Sequence, residues 1–532
     1  MNENPRLLTA ALAAAGPLLL LAFGFLPTSL LNRNPQRAAQ ASTALSLGAF
    51  AFALLAGLSM LLTGPADLAV SIGGPVQAGI YFDNLSAIVL TVVSFLLAVV
   101  ARYSRNYLAG DAAQGRFSKW LALTGGSVLA LVLSGNLIQF ATAWSATSLS
   151  LHQLLVLYPN RPGALLAARK KFIISRLGDT CLIAVIMLVY QTFHTWQFTS
   201  LFAAARELHQ TGLGANQFQI NLICFLLVAG AMLKSAQFPF HSWLPDTMET
   251  PTPVSALMHA GIINAGGFLI IRLNPLVTLS PAALSTLALF GAFTALFASL
   301  VMLTHASVKR SLAFSTIAQM GFMMLECGLG AFPLAVLHLV AHSLYKAHAF
   351  LSSGSIVNLA KAAWTPTEKP NSHPLTLVAA LTSSLLITFG GTWVFQLDWR
   401  TEPGWLVLGS AFAMALAYVL WNLWSQALTL KLAAFGLVLG AGIAASCFTL
   451  HKLFNHLLGQ NTWTNTQLGS WPGLVLVGTI LLLFLLVLIG QTELPQWGQK
   501  PLFRALYVHA RNGFYFNTLA NRFVAALWPL KT

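Results

Sequence analysis

KSAQFPFHSWLPDTMETPTPVSALMHAGIINAGGFL, residues 234–269, decides the fold, because it places titratable side chains inside an otherwise apolar chain. It contains one lysine, two histidines and two acidic residues. At the centre of a bilayer an ionisable side chain costs about 2.5–3.5 kcal/mol on the insertion scale. Membrane proteins that keep several such side chains usually use them to move ions, so this stretch predicts an ion pathway through a membrane.

The composition of the chain is that of a membrane protein. Of 532 residues, 57% are hydrophobic and 8% are charged. A soluble protein of this length could not cover so much apolar surface. About 20 apolar residues cross a bilayer, so the length allows many spans. The first apolar run, residues 7–31, is too long for the hydrophobic region of a signal peptide and is interpreted as a transmembrane helix.

Several functional classes are disfavoured by the residue pattern. The net charge of +15 comes from basic residues in loops, without interleaved aromatic residues, which indicates membrane topology rather than nucleic-acid binding. The four cysteines are scattered without CxxC spacing, which argues against an iron–sulfur or structural zinc site. No glycine-rich nucleotide fingerprint is present. We therefore expect no cofactor in this chain.

The apolar runs predict an all-α polytopic membrane protein with about 14–15 transmembrane helices. The runs, numbered in words as helices one to fifteen, are 7–31, 43–63, 83–101, 118–134, 136–158, 171–193, 218–238, 252–273, 282–304, 308–329, 331–357, 375–396, 404–424, 427–449 and 472–491. They divide the chain into N-terminal helices (1–117), a first five-helix repeat (118–273), a second five-helix repeat (274–425), C-terminal helices (426–495) and an amphipathic tail (496–532).

The assignment of two inverted repeats depends on predicted helix breaks. Pro239 and Pro245 predict an interruption or a re-entrant segment in helix seven, and Gly390-Gly391 predicts a second break in helix twelve. Paired breaks in corresponding helices are typical of a transport pathway. No repeat is visible at the level of individual residues.

The basic residues predict the orientation. Odd-numbered loops are rich in lysine and arginine, whereas even-numbered loops contain few. By the positive-inside rule, the odd loops and the C-terminus are cytoplasmic and the N-terminus is outside. The acidic loop after helix seven, with Asp246 and Glu249, is the exception.

Lys234 and His259 are the first candidates for a proton path. Desolvation disfavours a buried ammonium group, which allows a buried lysine to release and regain a proton. The alternative for Lys234 is a side chain that reaches the membrane interface. The alternative for His259 is a histidine satisfied in the core.

Helix eleven contains a stripe of titratable side chains. His338, His342 and Lys346 are spaced at i, i+4 and i+8, so they share one face over about 12 Å. Histidine exchanges protons near neutral pH, which favours a proton relay. The stripe could instead seal a helix interface, and a zinc site is a weaker alternative because no third ligand is evident.

Other polar residues allow more than one interpretation. Asp179 either pairs with Arg176 one turn earlier or tunes the helix-seven lysine. Asp83 and Glu249 are interpreted as residues that organise helix entrances. His152 in helix five could belong to the pathway or to the structure.

Four motifs in the same order resemble the proton-conducting membrane transporter family. They are residues 234–269, RLGD (176–179), VKRSLAFSTIAQMGFM (308–323) and HLVAHSLYKAHAFLSSGSI (338–356). The family includes the antiporter-like subunits of respiratory complex I and of Mrp-type Na+/H+ antiporters, and the resemblance covers about residues 80–360. It implies that a hydrated proton path includes Lys234, His259, His338, His342, Lys346 and Asp179.

The chain departs from the family pattern at two places. The family usually has Trp-Glu on helix five, and that glutamate pairs with the helix-seven lysine, whereas this chain has Trp144-Ser145. The family also has a lysine beside an acid in a broken helix twelve. Here Leu397 takes the lysine position and Asp398 is kept. The central lysine of the second half-channel is therefore missing or is replaced by Lys346.

The tail LYVHARNGFYFNTLANRF (506–523) is similar to that of the DabB family. DabB proteins are membrane subunits of bacterial inorganic carbon transporters, located in the inner membrane. The resemblance implies a DabA-like zinc partner similar to a β-carbonic anhydrase, docked on the tail or on the helix-seven loop. This chain would then conduct protons, or Na+, to drive CO2 or bicarbonate accumulation, with catalysis in the partner. The alternatives are a proton-pumping subunit of an NADH-quinone oxidoreductase, an Mrp-type antiporter subunit, and an assembly scaffold.

Overall fold

The structure of the chain is a computed structural model. It describes residues 4–73, 76–354, 374–397, 404–425, 429–459, 470–497 and 500–528. The helices of the first half are α1 Asn4–Phe25, α2 Thr28–Arg33, α3 Pro35–Thr63, α4 Asn84–Tyr107, α5 Gln114–Val132, α6 Leu137–Leu155, α7 Pro162–Phe193, α8 Phe198–Thr211, α9 Gln217–Lys234, α10 Trp243–Asp246, α11 Thr252–Ala260, α12 Ala265–Arg272 and α13 Asn274–Val277. Those of the second half are α14 Pro281–Met302, α15 Val308–Gly328, α16 Phe332–Leu351, α17 Pro374–Val394, α18 Gly404–Trp424, α19 Leu430–Leu458, α20 Trp471–Trp497, α21 Pro501–Arg511 and α22 Phe516–Leu527.

The helices confirm a multi-pass membrane protein. Within the described ranges, 12 helical segments are long and apolar enough to cross a membrane. The helices α5, α6 and α15 are of similar length, with 19, 19 and 21 residues, but are not among these 12. Each of the fifteen predicted apolar runs overlaps one of these segments.

A small hairpin departs from the all-α interpretation. Strands β1 (Ala66–Gly73) and β2 (Val76–Phe82) form an antiparallel pair between α3 and α4. Gly79 lies so close to the β1 backbone that a Cβ there would meet the Leu68 carbonyl oxygen at 2.7 Å. The sequence prediction missed this hairpin because it considered only apolar runs long enough to cross the bilayer.

The predicted break in helix seven is confirmed. Helix α9 ends at Lys234, and Ala236 has a positive φ of 50°. The chain then forms short helical turns until α11 begins at Thr252, with Pro253 in its first turn. Lys234 is thus the last residue of a helix and does not lie in the middle of a span. The following span is interrupted as well, because a short 3-10 turn, Ile262–Asn264, separates α11 from α12.

The predicted break in helix twelve is wrong. Helix α17 continues through Gly390 and Gly391 to Val394. A Cβ on Gly391 would meet the Phe448 ring at 2.2 Å, whereas one on Gly390 would meet nothing within 4 Å. Close packing against α19 therefore explains Gly391 without a change of backbone direction. Leu397 is described, and Asp398 lies outside the described residues.

The tail packs on the chain itself. Helix α22 contacts α7 and the helix-seven break. Lys170 of α7 is buried and donates to both Asp246 of the break and Asn517 of α22. Phe516 packs edge-on against Phe238, with ring centroids 4.7 Å apart. The start of α22 therefore covers the broken end of helix seven, while Leu519 and Phe523 further along α22 are exposed.

Candidate proton path

Lys234 is buried at the end of α9 and faces α6. Its Nζ lies 3.4 Å from Ser148 Oγ and 3.5 Å from the Trp144 carbonyl oxygen. It also lies 4.3 Å from the centroid of the Trp144 ring. Within the described part of the chain, no carboxylate forms a hydrogen bond or ion pair with Lys234. The ammonium group is therefore held by neutral groups and by the face of an indole.

A second buried lysine shares the serine hydroxyl. Lys171 Nζ donates to the Ser148 carbonyl oxygen and lies 3.3 Å from Ser148 Oγ. Ser148 Oγ thus lies between the ammonium groups of Lys171 and Lys234. Two buried amino groups therefore share one hydroxyl oxygen as an acceptor.

Asp179 forms an ion pair with Arg176. Its Oδ2 lies 2.8 Å from Arg176 Nη2, although the contact lacks the alignment of a hydrogen bond. This agrees with the structural interpretation of the pair. Asp179 forms no hydrogen bond or ion pair with Lys234 in the described part of the chain. Its influence on Lys234 stays a prediction.

His259 is completely buried and in a defined tautomer. The Thr316 hydroxyl donates to the Leu312 carbonyl oxygen at 3.0 Å, so it accepts from His259 Nδ1 at 3.1 Å. With the proton on Nδ1, Nε2 is an acceptor, and it has no hydrogen-bond partner. The ring stacks on Phe350. The free Nε2 is the atom at which His259 could take up a proton.

The predicted helix eleven is α16 in the structure, and its buried residues contact the residues around His259. His342 Nε2 lies 3.2 Å from the His259 carbonyl oxygen, which can only accept, so His342 carries its proton on Nε2. Lys346 Nζ donates at 3.2 Å to the Leu312 carbonyl oxygen, the same atom that accepts from Thr316. His342 and Lys346 therefore both reach the surroundings of His259 from α16, one turn apart.

Polar contacts extend across the 3-10 turn Ile262–Asn264, which interrupts the predicted helix eight between α11 and α12. Ser235, next to Lys234, donates to the Ile263 carbonyl oxygen at 2.7 Å. The next residue, Asn264, donates from Nδ2 to Ser343 Oγ at 2.8 Å, beside His342 on α16. Asn264 Oδ1 is buried without a partner. Polar groups therefore extend from the neighbourhood of Lys234 to that of His342.

His338 has two partners that the sequence interpretation did not identify. Its Nδ1 lies 2.9 Å from Glu326 Oε2, and its Nε2 lies 2.8 Å from Gln319 Oε1. Its ring centroid lies 6.1 Å from that of His342. Glu326 had a visible signal, an acid deep in the apolar run 308–329. Lys171 was not recognised from the sequence because it adjoins two other basic residues, Arg169 and Lys170, in the first half of α7.

Asp83 and Glu249 lie away from these groups. Asp83 is the N-cap of α4, as predicted, with Oδ1 accepting from the Ser86 amide at 2.8 Å. Its Oδ2 lies 2.7 Å from Arg272 Nη1. The Glu249 carbonyl oxygen accepts from Arg161 Nη1 at 2.9 Å, which ties the end of the helix-seven break to the start of α7.

His152 also lies outside the hydrogen bonds around Lys234. Its ring packs edge-on against Phe172. Its Nδ1 is buried without a hydrogen-bond partner. Within the described ranges, no three His, Cys, Asp or Glu side chains come together in an arrangement that could hold a metal ion.

Comparison with protein families matches two parts of the chain. Residues 134–364 match the family described as NADH:quinone oxidoreductase/Mrp antiporter, TM. Residues 70–118 match the family described as NADH-ubiquinone oxidoreductase (complex I), chain 5 N-terminus.

Curated relatives extend the similarity over most of the chain. The probable inorganic carbon transporter subunit DabB2 of Halothiobacillus neapolitanus is 38% identical over 499 residues, which cover 91% of this chain and 88% of that protein. The probable inorganic carbon transporter subunit DabB of Hydrogenovibrio crunogenus is 36% identical over 453 residues, 84% of this chain and 83% of that protein.

A solved structure shows the same fold. The membrane-bound sulfane sulfur reductase, an archaeal respiratory membrane complex, contains a chain that superposes with a TM-score of 0.57 at 18% identity. The superposition covers 94% of this chain and 99% of that chain. The two chains therefore share a fold over almost their whole length.

Proposed function

We propose that this chain, which belongs to the complex I/Mrp antiporter-like family and within it to the subunits named DabB, is the membrane subunit of an energy-coupled inorganic carbon transporter. In this proposal it conducts protons, with Na+ as the less favoured ion, through Lys234, His259, His342, His338 and Lys346. Asp179 tunes Lys234 through its charge.

One observation carries the proposal. Between Lys234 and the helix-eleven histidines, two buried polar atoms have no protein partner, His259 Nε2 and Asn264 Oδ1. Leaving a buried polar group unsatisfied costs about 1–3 kcal/mol. Water that entered the break in helix eight would satisfy both atoms. The same water would connect Lys234 with His342, which is what a proton wire requires.

Conversion of CO2 or bicarbonate is assigned to a partner. We propose a DabA-like zinc protein similar to a β-carbonic anhydrase, bound at the cytoplasmic face of the bacterial inner membrane. The names of the relatives support such a two-subunit system. Because α22 already lies against α7, the exposed side of the tail remains for the partner.

The energetics are adequate for one proton per carbon. A charge that crosses 100 mV releases about 2.3 kcal/mol. A tenfold accumulation requires about 1.4 kcal/mol. The inward proton flow would make hydration of CO2 by the partner effectively one-way.

The test is uptake of labelled inorganic carbon by cells that express this chain together with its partner. The host lacks carbonic anhydrase and otherwise requires high CO2. We expect growth in air and uptake that stops when an uncoupler collapses the proton gradient. Uptake that persists with the uncoupler but requires Na+ would replace protons by Na+, and absence of uptake with both subunits present would refute the function.

The second candidate is a subunit of an NADH-quinone oxidoreductase or of an Mrp-type Na+/H+ antiporter. The description of the family matched by residues 134–364 favours it. Affinity purification separates the candidates, because a large zinc protein would support carbon transport, whereas iron–sulfur subunits would support the redox complex. Salt sensitivity after gene deletion would support the antiporter.

A further inference from the structure

Glu326 is a buried carboxylate that the proposed path does not yet include. It lies in the last turn of α15 and is 3% exposed. An isolated charge at such a place is costly unless it is paired. Its Oε2 lies 2.9 Å from His338 Nδ1. A carboxylic acid and an imidazole in direct contact can exchange a proton between the two facing atoms.

The partner is held in a fixed orientation. Gln319, two turns before Glu326 on α15, places Oε1 2.8 Å from His338 Nε2. This acceptor keeps a proton on Nε2, so that Nδ1 is the atom that exchanges a proton with Glu326. Gln319 is therefore a positioning residue.

Glu326 and Gln319 line a large cavity among α14, α15, α16, α18, α19 and α20. Its volume is about 610 Å³, and Phe322, Trp405 and Phe484 are among its apolar walls. Because water needs polar partners, we expect it at the polar part of this space, beside Glu326 and Gln319. The carboxylate is thus at the boundary between the interior path and a space large enough for solvent.

The position of Glu326 along α15 fixes its depth. The basic pair Lys309 and Arg310 lies at the opposite end of this helix, some 25 Å away by the helix rise. The positive-inside rule places that basic end in the cytoplasm. Glu326 and His338 therefore lie in the half of the membrane away from the cytoplasm.

We infer that Glu326 is the proton port of the second repeat, through which water in the cavity exchanges protons with His338 and the residues beyond it. The inference rests on the proposed function. A hydronium ion that reaches the cavity gives its proton to the Glu326 carboxylate and leaves water, and the resulting acid passes the proton from Oε2 to Nδ1 of neutral His338. The products are a carboxylate and an imidazolium. Rotation of that ring or a bridging water then carries a proton towards His342.

This port accounts for the second departure from the family pattern. Helix α17 is continuous and has Leu397 where the family has a lysine. The second repeat therefore lacks that lysine and the break beside it. Instead, Glu326 on α15 supplies a titratable group next to His338, the first of the three titratable residues on α16.

The experiment measures proton flux into proteoliposomes that contain the purified two-subunit complex, with an enclosed pH dye and a potassium diffusion potential. Glu326→Gln keeps the size of the side chain but removes the proton exchange. We expect at least a tenfold loss of flux in Glu326→Gln and recovery of most of the flux in Glu326→Asp. The matched control is Glu207→Gln, which makes the same change at an exposed site on α8 and should leave the flux unchanged.

Two further variants separate the possible failures. Ala415→Trp fills the cavity from α18 without touching Glu326, and we expect it to slow the flux as well. Lys234→Ala tests the proton path of the proposed function. If Lys234→Ala abolishes the flux but Glu326→Gln leaves it intact, the port is refuted and the proposed function stands. If Ala415→Trp has no effect while Glu326→Gln does, the cavity is not the route. If the wild-type complex shows no flux above empty vesicles, the proposed function itself fails.

Discussion

Two groups of buried charge in this molecule differ in how completely they are satisfied. In the Asp83–Arg272 group, both carboxylate oxygens accept hydrogen bonds, from the Ser86 amide and from Arg272. Arg272 also donates to Ser86 Oγ at 2.6 Å and packs over the rings of Tyr81 and Phe268.

The Lys234–His259 group has weaker and fewer contacts. The hydrogen bonds of Lys234 are 3.4 and 3.5 Å long and go to neutral acceptors. One ring nitrogen of His259 has no partner. A buried polar network in which every group has a partner holds its helices rigidly, whereas one with missing partners can rearrange. We therefore expect the first group to matter for stability and the second for the proposed transport.

The largest expected effect is on stability, from Arg272→Leu. Removing one partner of a buried ion pair leaves the other charge uncompensated, which costs about 3–5 kcal/mol. We expect a large drop in the melting temperature of the purified complex in detergent.

The matched variant adds Asp83→Ser, which removes the orphaned carboxylate and keeps a residue that can cap α4. The double variant should be more stable than Arg272→Leu alone. Equal stability of the two variants would show that the ion pair does not hold these helices together.

The next effect is on transport, from Lys234→Ala. We expect at least a hundredfold loss of carbon uptake, because the path loses its titratable group at the helix-seven break. Folding should be nearly unaffected, since Lys234 makes only long hydrogen bonds. The control is Lys431→Ala at an exposed site. Normal uptake in Lys234→Ala would favour the scaffold alternative.

A smaller effect is expected in helix α17, where packing replaces the predicted break. Gly391→Ala should destabilise the protein by about 1–3 kcal/mol, because its methyl group would collide with the Phe448 ring. Gly390→Ala, with open space around the Cβ, should be neutral or stabilise the helix by up to about 1 kcal/mol. Thermal unfolding of both variants measures the difference. The same response in both would argue against the close contact with α19.

The smallest effect is expected from Thr316→Val, which removes the acceptor that keeps the His259 proton on Nδ1. The loss of one hydrogen bond of about 1 kcal/mol corresponds to a roughly fivefold slower proton flux. Thr316→Ser retains the hydroxyl and should behave as the wild type. Unchanged flux in Thr316→Val would show that the tautomer of His259 is not important for transport.

The sequence predicted most of the fold, because long apolar runs are a strong signal and a lipid bilayer permits few other structures. Pro239 correctly indicated the break in helix seven, since proline cannot continue a helix. The break predicted at Gly390-Gly391 was wrong, because glycine permits close packing as well as a break. Only the position of the Phe448 ring, which the sequence does not give, distinguishes the two.

The candidate site was predicted less completely. The i, i+4, i+8 spacing placed His342 and Lys346 correctly on one face. The hydrogen-bond partners of the site residues lie on other helices. The sequence alone could not pair Glu326 with His338 or Lys171 with Ser148. These contacts depend on how α15 packs against α16 and how α7 packs against α6.

The central claim, that Lys234 and Lys346 belong to one continuous path, is tested most directly by proton flux through Lys234→Ala, Lys346→Ala and the double variant in proteoliposomes. Groups that act in series are non-additive, so each single variant should already lose as much flux as the double variant. Two single variants that each keep about half of the flux, with complete loss only in the double variant, would indicate two parallel paths and contradict the account.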